Sequence, residues 1–78
     1  MSSRLPRVSA TEVIKVLEMI GFALARQSGS HKIYKNAGGR KVTVPYHGST
    51  ILNLKTLKSI LNDADLTVKE FIELLKNS

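Results

Sequence analysis

His31 and His47 are the only side chains in this 78-residue, cysteine-free chain whose unperturbed titration falls near neutrality, which makes them the first candidates for proton transfer. Both lie in a stretch without a carboxylate. From Met19 to Asn62 there are seven basic residues, Arg26, Lys32, Lys35, Arg40, Lys41, Lys55 and Lys58, and no Asp or Glu. The six acids flank it, Glu12 and Glu18 before, Asp63, Asp65, Glu70 and Glu73 after. Charge serving only solubility would intersperse the signs. Their segregation, on a chain of formal charge +6, favours a phosphate-bearing partner. A histidine in such surroundings could take a proton from an RNA 2′-hydroxyl or give one to a leaving 5′-oxygen, with Lys and Arg steadying charge on the phosphorus.

Other chemistries find little here. Without cysteine there is no thiol nucleophile, disulfide framework or thiolate metal site. There is no glycine-rich phosphate loop of Walker type and no His-Glu pair at helical metal spacing. A two-metal nuclease centre would have to recruit its carboxylates from the distant ends of the chain. The expectation is therefore chemistry without metal or cofactor. Met1 to Arg7 carries two arginines and a proline but no apolar run long enough for a signal sequence or a membrane span, so a cytoplasmic protein away from membranes is expected.

The elements that must position these residues are legible from patterning. The length allows a single domain, and 42% hydrophobic residues suffice for a core. Ser9 and Glu12 have capping-box spacing at the start of a helix from Ala10 to Ile20, with Val13, Ile14, Leu17 and Ile20 on one face and Gly21 as its stop. Phe22, Leu24 and Arg26 then alternate with Ala23, Ala25 and Gln27 in a first strand. Ser28-Gly29-Ser30 is a turn, His31 to Lys35 a second strand, Asn36 to Gly39 another turn, and Arg40 to Val44 a third strand stopped by Pro45. A loop, Tyr46 to Asn53, precedes a helix from Leu54 to Asp63. Thr67 and Glu70 repeat the capping-box spacing for a short additional helix over 67–76. Residues 1–8 read as a flexible entry. The order predicts an α+β domain, a three-stranded antiparallel sheet packed on its helices with one face at least partly open. Double-stranded RNA-binding domains share this α-β-β-β-α order.

Two readings of His31 stand at this point. It is an acid-base residue presented by the Gly29-Ser30 turn beside Lys32, Arg26 and Lys41, or a strand-end histidine bonded to backbone. Strand parity discriminates, because His31 and Tyr34 must point to opposite faces. Tyr34 in the core sends His31 to the open face; Ile33 in the core turns His31 inward. His47, in Pro45-Tyr46-His47-Gly48, suits a turn or a phosphate contact better than catalysis. Tyr34 and Tyr46 could stack on bases, though the core has first claim on Tyr34.

The ordered set Gly29-Ser30-His31, Tyr34, Gly39-Arg40-Lys41-Val42-Thr43-Val44-Pro45, His47-Gly48 and Thr56-Leu57-Lys58-Ser59-Ile60-Leu61 closely resembles the HicA toxins, also described as YcfA-like proteins, over about Ala10 to Leu75. The resemblance implies a double-stranded-RNA-binding-like fold and a ribosome-independent mRNA endonuclease neutralised by a HicB-type antitoxin. It places the catalytic role on His31, with Gly29 and Ser30 shaping the turn that exposes the ring and Gly29 leaving room for RNA backbone. RNA would be held by Arg26, Gly29, Ser30, Lys32, Lys35, Arg40, Lys41 and His47. The chain departs from its relatives at Ser49 and Thr50, often lysines, at Lys55, often glycine, and at Asp65, where a glycine commonly follows the helix.

Overall fold

The computed structural model describes residues 4–47 and 50–78; Gly48 and Ser49 of the expected loop lie outside the described residues. The elements are α1 (Ala10–Met19), β1 (Ala23–Ser28), β2 (His31–Lys35), β3 (Lys41–Pro45), α2 (Leu54–Asp63) and α3 (Val68–Lys76). The expected order is thus realised, with Pro45 ending β3 from inside the strand.

Local chemistry explains the helix limits. The Ser9 hydroxyl accepts the Glu12 N–H at 3.3 Å and the Glu12 carboxylate accepts the Ser9 N–H at 3.0 Å, a complete capping box. Thr67 and Glu70 repeat it at 3.1 and 2.9 Å. Helix α1 ends in a Schellman motif, the Phe22 N–H donating to the Leu17 carbonyl and the Gly21 N–H to that of Glu18, with Gly21 at a φ of +96°. Helix α2 ends in the same way, Leu66 donating to Leu61 and Asp65 to Asn62. Here the left-handed position belongs to Asp65, with a φ of +60°, a conformation that glycine adopts more readily.

The strands form one antiparallel sheet in the order β1-β2-β3. Tyr34, Val42 and Val44 are buried against the helices together with Val13, Val16 and Leu17 of α1, Leu57, Ile60 and Leu61 of α2, and Phe71 of α3. Of the stretch 1–8 expected to be flexible, Leu5 packs against this core and Val8 is only 2% exposed. Val8 is held there by the Leu52 N–H donating to its carbonyl at 2.8 Å, and the next residue, Ser9, by a bridge to Ile51.

The expected first strand forms, but it has no buried face: every residue of β1 is exposed, Leu24 by 49%. Phe22 enters the core from just before the strand, and a bulge between Leu24 and Arg26 breaks the period. Helices α1 and α2 pack on β3, Tyr34 of β2 joins the same core, and β1 forms the opposite edge of the sheet.

Burial holds the Tyr34 phenol above its ordinary value of 10.0, helped by the negative charge of Glu18 and then by Tyr46. The unfolded phenol ionises first as pH rises, so this contribution to stability is complete below about pH 10 and is lost above it. Wild type is expected to lose stability more steeply than Tyr34→Phe between about pH 9 and 11, measured as urea midpoints. Equal slopes would show that Tyr34 has no part in alkaline unfolding.

Candidate functional site

The hairpin between β1 and β2 has a two-residue loop, Gly29-Ser30, closed by the Ser28 and His31 pair. Only Gly29 of the two has positive φ, +58°, the pattern of a type II′ turn, whose twist matches that of the strands it joins. The Tyr46 N–H donates to the Ser30 carbonyl, fixing the hairpin tip to the end of β3. Gly29 and Ser30 therefore set the position of His31 through backbone geometry, and both remain exposed.

Register assigns the faces. Tyr34 is 3% exposed on the helix side, so His31 stands on the open face and is itself exposed. Directly opposite residues share a face, which gives three rows there: Ser28, His31 and Pro45; Arg26, Ile33 and Thr43; Ala23, Lys35 and Lys41. Rows lie two residues apart, about 7 Å, so the lysine row is roughly 13 Å from His31 along the strands. Lys35 and Lys41 face each other directly, a like-charged cross-strand pair that costs stability unless an anion lies over it. No acid belongs to any of the three rows.

Two expected members are not on this face. Lys32 pairs with Val44, hence points to the helix side, where its Nζ lies 4.0 Å from the centroid of the Tyr46 ring. Arg40 sits in the turn before β3 and reaches α2: its Nη1 donates to the Asp63 carbonyl at 3.1 Å, and its Nη2 lies 3.9 Å from the Asp65 carboxylate. Both are engaged within the protein, and the structure does not bring them to His31. His47 comes two residues after Pro45, the cross-strand partner of His31, so both histidines are gathered at one end of the sheet.

Patterning missed a cleft at that same end, between Pro45 and His47 on one side and Thr50, Ile51, Asn53 and Thr56 on the other. The one signal was Asn53 before the apolar spacing of α2, since an N-cap holds the loop against the helix: its Oδ1 accepts the Lys55 N–H at 2.8 Å. Among the described residues no group of three or more His, Asp or Glu side chains is placed to share a metal ion.

The class defined by these features is a small α+β domain whose helix-backed sheet offers one open, cationic face. Residues 10–66 match the family model described as the HicA toxin of bacterial toxin-antitoxin systems, and the chain belongs to that family. The family makes it the toxin partner of such a system and implies an antitoxin. A search of characterised proteins found no match. No helix among the described residues is long and apolar enough to cross a membrane.

Proposed function

We propose that this protein is an endoribonuclease that cleaves mRNA in the cytoplasm without a metal, using His31 as general acid or base, and that a HicB-type antitoxin inhibits it. The observation supporting this reading above all is the exposed His31 on an acid-free open face with Arg26, Lys35 and Lys41. Phosphates drawn to the cations align an RNA strand along the sheet, with one phosphodiester at His31. As base, His31 takes the 2′-hydroxyl proton while the 2′-oxygen bonds to phosphorus and the 5′-oxygen departs. As acid, it protonates that departing oxygen. The transfer His31 does not make falls to solvent or to His47. Arg26 and the lysines stabilise the negative charge that develops on the phosphoryl oxygens.

The test is cleavage of an mRNA by purified protein in excess chelator. Specific fragments are expected, at a rate unchanged by the chelator; strict dependence on added divalent metal would overturn the metal-free reading. A second reading, RNA binding without cleavage, has one observation in its favour: among the described residues no side-chain hydrogen bond orients the His31 ring. RNA that is bound, salt-sensitively, and left intact would establish it.

A further inference from the structure

The cleft beside Pro45 differs in chemistry from the face that neighbours it. Its volume is about 250 Å³. That falls below the roughly 300–1,000 Å³ of sites that enclose drug-sized ligands, and suits a single heterocycle. No Lys or Arg is among the described residues that line it. It combines apolar surface from Pro45 and Ile51 with the polar side chains of Thr50, Asn53, Thr56 and His47. Apart from His47 at its edge, a phosphate would meet none of the fixed cations of the open face. A neutral planar ring with hydrogen-bonding edges finds both of its needs.

The polar groups are also free to serve a ligand. Among the described residues no side-chain hydrogen bond uses Thr50, Thr56 or His47, although helical threonines often bond back to their own helix. Asn53 spends its Oδ1 on the Lys55 N–H, which leaves its Nδ2 as a donor. The residues lining the cleft therefore include one amide donor and two hydroxyls that can donate or accept. Its wall is formed by Pro45, which stands directly across from His31. A ring seated in it belongs to a nucleotide next to whatever His31 contacts.

We propose that this cleft reads one unpaired RNA base adjacent to the phosphate at His31, with Thr50, Thr56 and Asn53 setting which base is accepted. The inference rests on the ribonuclease reading for taking RNA as the ligand. It adds a source of sequence preference, since single-stranded bases splayed from the backbone are how RNA sequence is commonly read. Hydroxyls that lose their partner on binding the wrong base penalise it.

The test separates the two ideas by measuring binding and cleavage independently. His31→Ala protein is mixed with random-sequence short single-stranded RNA and the bound fraction sequenced, with and without Thr50→Val and Thr56→Val. One base enriched at one position is expected, with that enrichment falling about 3- to 10-fold for each hydroxyl removed. Valine keeps the shape and branching of threonine, and Thr56→Ser, which keeps the hydroxyl, is expected to retain the preference. A flat base profile overturns the proposal, as does an enrichment that both valines leave unchanged. Cleavage by protein with His31 intact, together with either of those results, removes the base cleft and leaves the ribonuclease standing. Threonine-dependent base preference without any cleavage does the reverse.

Discussion

His31→Ala is expected to lower RNA cleavage by about 100- to 10,000-fold, the range over which a positioned general acid or base acts. The fold should not notice. His31 is exposed and its ring makes no side-chain hydrogen bond among the described residues, so truncation breaks no such bond and stability should stay within about 0.5 kcal/mol of wild type. The residues that position it, Gly29, Ser30 and Tyr46, act through backbone hydrogen bonds and turn geometry that the substitution leaves intact. Initial cleavage rates, thermal midpoints and growth after induction check the prediction together. Full cleavage with full stability in the variant would move the acid-base role elsewhere, with His47 the next residue to replace. Lost cleavage with lost stability would show that His31 carries structure, the alternative that its place at a strand start left open.

On the proposed reading, the cations of the open face bear on inhibition as well as on substrate. Lys35 and Lys41 oppose each other directly there, and an anionic cover, RNA or an acidic partner surface, would relieve the repulsion. An antitoxin laid over this face would cover His31 and exclude RNA at once. Substitutions of Lys35 and Lys41 would then weaken both complexes.

What was legible in the sequence depended on whether the governing interaction was local. Both capping boxes were visible because their partners are three residues apart, and Gly21 marked a helix end because the Schellman turn needs a left-handed residue there. The same turn at Asp65 was visible only as a departure from relatives. The face of His31 followed from a single alternative, Tyr34 or Ile33 in the core, because strand parity leaves no other freedom. Contacts between distant segments were not legible. Arg40 looked like a phosphate ligand because nothing near it in sequence shows that the end of α2 comes within reach of its guanidinium. Lys32 was placed beside His31 although neighbours along a strand point to opposite faces, and the partner that holds it, Tyr46, is 14 residues away. The alternation of β1 marked a strand, but nothing local showed that all of its residues stay exposed. The cleft beside Pro45 arises from the end of a strand meeting the loop before α2, and no periodicity encodes such a meeting.

A short apolar face such as that of α3 can serve either core packing or dimerisation, and Phe71 decides for the core. It is fully buried and the largest of the fully buried side chains, yet it comes from a helix beyond residue 66, where the family match ends. Its neighbours Ile72, Leu74 and Leu75 are only half-buried, so Phe71 carries most of what α3 contributes. Phe71→Ala should cost about 3–5 kcal/mol, the transfer free energy of the ring plus a cavity that neighbouring side chains can only partly fill. A domain of this size has roughly 4–12 kcal/mol in total. The thermal midpoint is therefore expected to fall by at least about 12 °C, and removal of all residues after Leu66 should leave a chain without cooperative unfolding. Ile72→Ala, made as a control on the same helix, should cost much less. A near-native midpoint for Phe71→Ala, accompanied by a change in size-exclusion elution, would show instead that α3 serves association between copies. Loss of the midpoint would mean that the helix outside the family match completes the core that holds the sheet, and with it His31, in place.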